Sequence, residues 1–461
     1  MCGIIGFFSP VPADAAGLTY LGLYALQHRG QESAGIAVSD GERISIHKGT
    51  GLIAQVLGGG VLHEMPGSIS IAHTRYSTAG SPDLIHSQPL SGFTQHGQVA
   101  VANNGSLVNA NELRHQLEQE GSVFQTVSDS EIILNLVARQ TGVSLEEAVA
   151  VAMQKMQGAY SFVLMTVDKL IAARDPAGIR PLCMGRLGEA TIFASETAAL
   201  DTIGATYQRE VGRGEMVIVS GNEVKSEQVV KLGREAFCVF EYLYVARPDS
   251  NLNGQNVHLV RKEIGRALAR EAHIEADIVI PAPESANSAA MGYAEESGIP
   301  FDFGLMKNRY VGRTFIQPSE SIRKQLIRMK FNAVSALLSG KRVILVEDSI
   351  VRGTTTAQTV QMIRDAGATA VHLMIAAPPF NHPCHYGIAV PREDELIASG
   401  RTPAEVAQLI GADTLHYISL NGLYEAVGKT NNQLCAACFN GYYALGTPQK
   451  PTIRRGVGHN G

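Results

Sequence analysis

The sequence predicts two domains in series, a layered α+β domain followed by an α/β domain built on a parallel sheet. The length is the first reason: 461 residues exceed what one hydrophobic core organises, since cores stop growing at about 250 to 300 residues. The second is a change of rhythm near residue 230. Before it, short β-like runs alternate with Gly, Asp and Asn turns; after about residue 250 a helix and a fully apolar strand take turns. Strands that are apolar on both faces belong to a parallel sheet covered by helices on each side.

In order, the first half carries β runs at Gly3 to Phe8, Ser68 to His73, Val99 to Asn103, Ser161 to Thr166, Leu170 to Arg174, Thr191 to Ala194 and Met216 to Ser220. Two longer patterns, Ala16 to Gln27 and Ser130 to Gln140, read as helices. Ser128, followed three residues later by Glu131, reads as a capping box for the second. In the second half the spacing predicts helices over His258 to Ala272, Ser285 to Glu296 and Thr355 to Ala366, and strands over Asp277 to Pro281, Val343 to Glu347 and Val371 to Ala376. Residues 2–230 and 231–446 are the expected domains, with an unordered tail over 447–461.

Composition narrows the function. Charged residues make up 18% and the net charge is -5, so there is no basic excess to attract nucleic acid or an acidic membrane. No run approaches 18 apolar residues and no secretory leader precedes Cys2, which points to a cytoplasmic protein. Six cysteines are too sparse for a disulfide scaffold; nucleophile, metal ligand or plain core are the expected uses.

Cys2 follows the initiator methionine in Met1-Cys2-Gly3-Ile4-Ile5-Gly6. Taken alone it reads as a buried cysteine opening a strand. Removal of Met1 would instead place a thiol and a free α-amine on one residue. An amine with a reference pKa of about 7.7 to 8.0 can relay the thiol's proton at neutral pH.

The strongest phosphate signal runs from Val343 to Thr356, where a buried strand ends in Glu347 and Asp348 and a loop of Gly and hydroxyl residues opens a helix. Backbone N–H groups at that helix start, with the Thr hydroxyls, suit a phosphate monoester, and the acids suit ribose hydroxyls or Mg²⁺. The loop is not a Walker loop, because it lacks Gly-Lys-Ser/Thr. It resembles the phosphoribosyl pyrophosphate (PRPP) binding loop of class I phosphoribosyltransferases. Joined to an N-terminal cysteine, it identifies the chain as resembling the glutamine PRPP amidotransferase family (amidophosphoribosyltransferases), over nearly its whole length from Cys2 to about Tyr443.

That resemblance implies an N-terminal nucleophile glutaminase domain of αββα architecture, then a phosphoribosyltransferase domain. Leu26 to Gly35, His73 to Thr78, Asn103-Asn104-Gly105 and Ser128 to Glu131 are similar to the glutaminase motifs. By resemblance Cys2 is the nucleophile, Asn104 and the Gly105 backbone form the oxyanion hole, Arg75 holds the glutamine carboxylate, Asp129 its ammonium, and Arg29 joins the glutamine set. Arg29 and Tyr76 are also implied to couple the two sites. The types suit the task, since a guanidinium grips a carboxylate in bidentate fashion. Without its company, Asn104-Gly105 would read as a hairpin turn.

For PRPP the resemblance implies Glu347, Asp348, Ser349, Arg352, Gly353, Thr354, Thr355 and, in a closing loop over residues 308–318, Arg313. Ser285 would join Glu347 and Asp348 around Mg²⁺. Cys435-Ala436-Ala437-Cys438 with Cys238 and Cys384 is compatible by spacing with zinc, a redox pair or nothing, and His382 and His385 offer imidazole alternatives. The resemblance, to the iron–sulfur branch, implies a structural [4Fe-4S] cluster on Cys238, Cys384, Cys435 and Cys438, with Cys183 in the core. It further implies glutamine and PRPP as substrates, purine nucleotides as feedback inhibitors, a homotetramer, and formation of 5-phosphoribosylamine as the first step of purine synthesis.

Departures from the family pattern are Glu347 in place of a usual Asp, Glu284-Ser285-Ala286 for Asp-Ser-Gly or Asp-Ser-Ser, Ala177 for His and Glu320 for Gln. Two other readings exist: a PRPP-sensing regulator, disfavoured by the lack of a basic helix-turn-helix pattern, and a glutaminase feeding another acceptor, whose acceptor domain would lack the Glu-Asp loop.

Overall fold

The computed structural model describes residues 1–76, 83–308, 310, 331–390 and 392–448. Two antiparallel sheets occupy the first half. The seven-stranded sheet runs in the order Thr206–Glu210, Cys183–Leu187, Ala190–Ala194, Gly3–Phe8, Ile69–Arg75, Ser33–Ser39, Ile44–Thr50. The six-stranded sheet runs Glu223–Gln228, Glu215–Ser220, Lys169–Arg174, Gly158–Met165, Gly97–Leu107, Leu90–Thr94.

Side-chain alternation divides these strands among three cores. Ile4, Phe8, Ile69, Ile71, Ala100, Ala102, Val163 and Met165 fill the space between the sheets. Their neighbours Ile5, Phe7, Ala34, Ile36 and Ala72 face the other way, onto the helix Ala15–Ala25. Val99, Val101, Tyr160, Phe162 and Leu164 face the helices Asp129–Ala138 and Leu145–Lys155. Strands with a period of two, covered on both sides, give helix, sheet, sheet, helix layering, as the αββα expectation requires.

The second half carries a four-stranded parallel sheet, Ile278–Pro281, Arg342–Glu347, Ala370–Ile375 and Thr414–Tyr417, in sequence order. One face, with Ile280, Val343, Leu345 and Leu373, packs on Val360, Ile363, Val406 and Ile410. The opposite face, with Val279, Ile344, Val346 and Met374, packs on Val260, Ile264, Leu268 and Tyr293. That second core also takes in Val108, Ala159, Ala177 and Ile179 from the first half, so the two halves share an apolar cluster.

Several elements differ from expectation. The helix after Ser128 forms, but the capping box does not close: the Ser128 hydroxyl accepts from the Ser130 N–H at 3.3 Å, while the Glu131 carboxylate turns away to accept from the N–H groups of Gln125 and Thr126, both at 2.6 Å. Glu131 therefore ties the preceding loop to the helix. The helices Ala110–Gln119 and Leu145–Lys155 escaped the sequence reading, the first because only Leu113 and Leu117 of its ten residues are buried. The strand Thr414–Tyr417, also unforeseen, is a short edge strand. Among the described residues no helix is long and apolar enough to cross a membrane. All but the first two residues of the tail, Thr447 and Pro448, lie outside the described residues.

Candidate active site

Three inward-facing strand rows change character at the same end of the sheet sandwich. Phe8, Gly6 and Ile4 lead to Cys2; Ile69 and Ile71 lead to His73 and Arg75; Ala100 and Ala102 lead to Asn104. The antiparallel pairing of Gly3 with Thr74 and Ile4 with His73 fixes the first two rows side by side. One end of an apolar interior thus becomes a polar cleft, and Cys2 stands at its floor.

The Cys2 backbone nitrogen donates to Asn104 Oδ1 at 3.2 Å, which leaves the amide nitrogen Nδ2 to another acceptor. That nitrogen is buried and without a hydrogen-bond partner among the described residues. Gly105, next along the strand, has φ +149°, and a Cβ there would lie 2.1 Å from the carbonyl oxygen of Ala159, so only glycine fits. An orphan amide beside a backbone that no side chain crowds is what an oxyanion hole needs.

Burial works against ionisation of the Cys2 thiol, yet the His73 imidazole and the chain's terminal amine outweigh it and bring the thiol down to about 6. Asp129 behaves in the opposite sense. Desolvation raises its carboxyl to about 6 against the Leu107 N–H, which donates to Oδ2 at 2.8 Å, and against Arg114. A carboxylate so placed is suited to a cationic group. Arg75 is nearly buried, with Glu32 3.9 Å from Nη1.

Arg29, expected in the glutamine set, has its guanidinium engaged within the protein. Nε donates to the Cys2 carbonyl at 2.9 Å, Nη1 pairs with Glu196, and Nη1 and Nη2 reach Glu241 at 3.1 and 2.9 Å. Every nitrogen is used and the side chain is 2% exposed, so Arg29 anchors the nucleophile's backbone. Burial alone would raise the Glu196 carboxyl, but His28, 2.7 Å away, and Arg29 hold it well below the usual range.

The second centre lies at the carboxyl ends of the parallel strands, where open α/β sheets bind ligands. Asp348 accepts from the Ser285 hydroxyl and, at 2.6 Å, from the Ser349 hydroxyl. Glu347 Oε2 is buried and has no partner among the described residues. Burial and then the adjacent Asp348 push the Glu347 carboxyl up to about 8; burial also raises Asp348. Two desolvated carboxyls of this kind ask for a cation. Gly353, at φ +76°, caps the helix Thr354–Asp365, whose open N-terminus carries Thr354 and Thr355. Arg352 pairs with Glu395 at 2.6 Å on the surface rather than turning into the loop. Arg313, like Glu320 and most of the expected closing loop, lies outside the described residues.

The two centres are joined by buried charge. Glu241, which holds Arg29, also takes Arg180 Nη1 at 3.3 Å, and Arg180 donates through Nε to the carbonyl of Tyr386 at 3.0 Å. Glu241 opens a one-turn π-helix, Glu241–Val245. Arg261 straps that turn through the carbonyls of Tyr242 and Ala246, at 2.6 and 2.8 Å, and its charge is felt at Asp348. Gly387 from the second half rests against Gly105, where a Cβ would come to 3.3 Å.

These two centres have counterparts in known proteins. A glutamine amidotransferase domain family matches residues 73–202. The chain is 48% identical to the amidophosphoribosyltransferase of Bacillus subtilis, over 96% of its own length and 94% of that protein's. The chain belongs to the amidophosphoribosyltransferase family. A solved structure, the glutamine PRPP amidotransferase of B. subtilis complexed with ADP and GMP, matches it with a TM-score of 0.90 at 48% identity, covering 96% of this chain and 97% of that one. Another, described as the allosteric regulatory enzyme of purine biosynthesis, matches with a TM-score of 0.92 at 47% identity over 98% of each chain. Membership makes the chain a glutamine-dependent amidophosphoribosyltransferase of purine biosynthesis.

The four cysteines expected as cluster ligands lie near one another. Phe237–Cys238 pairs in parallel with Leu434–Cys435, register Cys238 to Cys435. The Cys384 sulfur accepts from the N–H groups of Tyr386 and Ile388, both at 3.4 Å. All four cysteines are free, and burial raises Cys238 to about 11 and Cys438 well above the ordinary thiol range, each in part through the other thiols. Among the described residues no three His, Cys, Asp or Glu side chains already stand in metal-ligating array. Cys183 is buried in the first domain's core, as expected.

Sequence reasoning singled out no role for His73, Glu196, Glu241, Arg180 or Arg261. His73 was visible within the His73-Thr74-Arg75 motif, and the period of two from Ile69 would have turned it toward Cys2. The charge chain had no such signal, because its members are separated by up to 232 positions and meet only in the fold.

Proposed function

We propose that Cys2 attacks the side-chain amide of glutamine, releasing ammonia and leaving a glutamyl thioester that water hydrolyses, and that the ammonia displaces pyrophosphate from C1 of PRPP at the Glu347–Asp348 centre to give 5-phosphoribosylamine. The observation that carries this reading is the convergence of Cys2 with the orphan amide of Asn104 at one end of the sandwich. Loss of Met1 would turn the Cys2 amide nitrogen into an amine able to carry the thiol's proton. Asn104 Nδ2 and the Gly105 backbone would receive the oxyanion, Arg75 the glutamine carboxylate and Asp129 the ammonium.

At the second centre, the start of the helix Thr354–Asp365 would hold the 5-phosphate and the acid pair would orient the ribose. Ser285, Glu347 and Asp348 fit Mg²⁺, because a buried carboxylate oxygen without a partner beside a second desolvated carboxyl is relieved by a cation; the ion would supply charge neutralisation for the leaving pyrophosphate. Ammonia is mostly ammonium at neutral pH, so passage inside the protein, away from bulk solvent, would preserve the reactive form.

The donor set of four free cysteines, with N–H groups aimed at Cys384, fits a [4Fe-4S] cluster on Cys238, Cys384, Cys435 and Cys438 that ties residues 434–439 to the junction. Purine nucleotides as inhibitors, a homotetramer and a cytoplasmic setting complete the reading, the first in keeping with the ADP and GMP of the B. subtilis structure.

Glutamate release, measured anaerobically with Mg²⁺ in the presence and absence of PRPP on wild type and Cys2→Ala, tests it. PRPP-stimulated release that vanishes in Cys2→Ala, with pyrophosphate formed alongside, is expected. Release indifferent to PRPP would point to another acceptor, and PRPP binding without release would point to a regulator.

A further inference from the structure

His73 is the one member of the cleft that the mechanism above leaves without a task. It is fully buried, 0% exposed; the Cys2 thiol is paired with its ring, and neither ring nitrogen has another hydrogen-bond partner among the described residues. A buried imidazole is costly unless it is paired, and here the group the fold supplies to pair it is the thiol. Its place is fixed by the sheet. It stands opposite Ile4, and the alternation that sends Ile4, Ile69 and Ile71 between the sheets sends His73 and Cys2 there as well.

We propose that His73 is a positioning residue that takes the proton of the Cys2 thiol and keeps it, so that the resting nucleophile is a thiolate held beside an imidazolium. The balance is simple: Sγ loses a proton and one ring nitrogen gains it, with no other reactant. This rests on Cys2 being the nucleophile, and it adds that the terminal amine need not be the base for the resting thiol. The amine would then be free for the later, water-consuming step.

The Tyr76 carbonyl is a second acceptor for the thiol, at 3.8 Å, and other charged groups belong to the same end of the sandwich. Arg75 follows His73 on the strand, Arg29 binds the Cys2 carbonyl and is neutralised by Glu196 and Glu241, Arg180 approaches the Met1 sulfur at 2.6 Å, and Asp129 lies beyond Asn104 and Gly105 with its carboxyl partly protonated at neutral pH. The Met1 amine is the remaining cation as long as Met1 is in place. Of these, His73 is the group whose ring nitrogens have no partner other than the thiol among the described residues. The depressed thiol described above agrees with this arrangement.

Reaction of Cys2 with iodoacetamide between pH 5 and pH 9, followed by mass spectrometry of the N-terminal peptide, reads the thiolate directly and uses no glutamine. Wild type is expected to show a midpoint near 6. His73→Gln and His73→Phe are expected to move it up by about two units and to slow alkylation at pH 7 by at least about tenfold. Ammonia-dependent formation of phosphoribosylamine, which needs only the second centre, should survive in both variants and reports that they are folded. A wild-type midpoint at or above 8 overturns the proposal whatever the variants do. So does a midpoint unmoved in a variant that retains the ammonia-dependent activity. Normal alkylation with no glutamate release in wild type would instead sink the glutaminase reading and leave the thiolate pair standing.

Discussion

Replacing Asn104 with alanine separates the oxyanion hole from glutamine binding. In the structure Asn104 is 1% exposed, its Oδ1 engaged by the Cys2 nitrogen at 3.2 Å and its Nδ2 unpartnered. On the proposed mechanism the free donor meets only the oxygen that becomes negative when Cys2 adds to the amide. Removal of one such donor costs about 2.7 to 4 kcal/mol in the transition state, or about 10²- to 10³-fold in rate. Because the ground-state amide does not use it, kcat and kcat/KM should fall together with KM little changed. Asn104→Asp has nearly the same shape and keeps the acceptor for the Cys2 nitrogen, but it places negative charge where the oxyanion forms and should lose at least as much. The assay is steady-state glutamate release with saturating PRPP and Mg²⁺. Ammonia-dependent turnover, which bypasses Cys2, should stay within about twofold of wild type. A fall in kcat below about fivefold, or a raised KM at unchanged kcat, would refute the assignment of Asn104.

Gly105→Ala would drive a Cβ to 2.1 Å from the Ala159 carbonyl, so it should lower Tm and abolish glutaminase activity. Gly387→Ala, at φ +103° and 3.3 Å from Gly105, should weaken glutamate release from the other half of the chain, as kinetics on both substrates would show. For Glu347 the folded carboxyl titrates at about 8 against an ordinary 4.5. The folded state then binds more protons between those values, so without metal this group's contribution to stability is present below about 4.5 and lost as pH rises through about 8. Thermal unfolding of wild type and Glu347→Gln from pH 5 to 8.5 should show a slope that the variant lacks, and Mg²⁺ binding at pH 7 should release protons in calorimetry run in two buffers. Glu241→Gln removes a buried charge shared by Arg29 and Arg180 and should cost about 3 kcal/mol in denaturant unfolding; PRPP stimulation of glutamate release should fall more than the unstimulated rate.

Much of this molecule is local, and local features are legible. Cys2 after Met1, the strand ending in Glu347 and Asp348, and the glycine and threonines after it each occupy a few consecutive residues, so their chemistry survives without coordinates. The alternation of the strands and the apolar runs of the parallel sheet likewise follow from side-chain periods of two and from burial on both faces. What the sequence by itself determined was therefore the fold class and the family, and it singled out the residues on which the proposed nucleophile and phosphate loop rest.

Tertiary structure decided the rest. Arg29 stands in a motif that implied glutamine binding, yet its guanidinium is taken up by Glu196 and Glu241, 167 and 212 residues away, because a buried cation must find its counter-charge wherever the fold supplies one. Glu131 had the spacing of a capping box and instead caps the loop before it, since two backbone N–H groups of residues 125 and 126 compete for the same carboxylate. His73 gained its place only when the first strand and the strand Ile69–Arg75 paired in register. Charge neutralisation and burial are sums over all near neighbours in space, and a linear sequence does not say which neighbours those are.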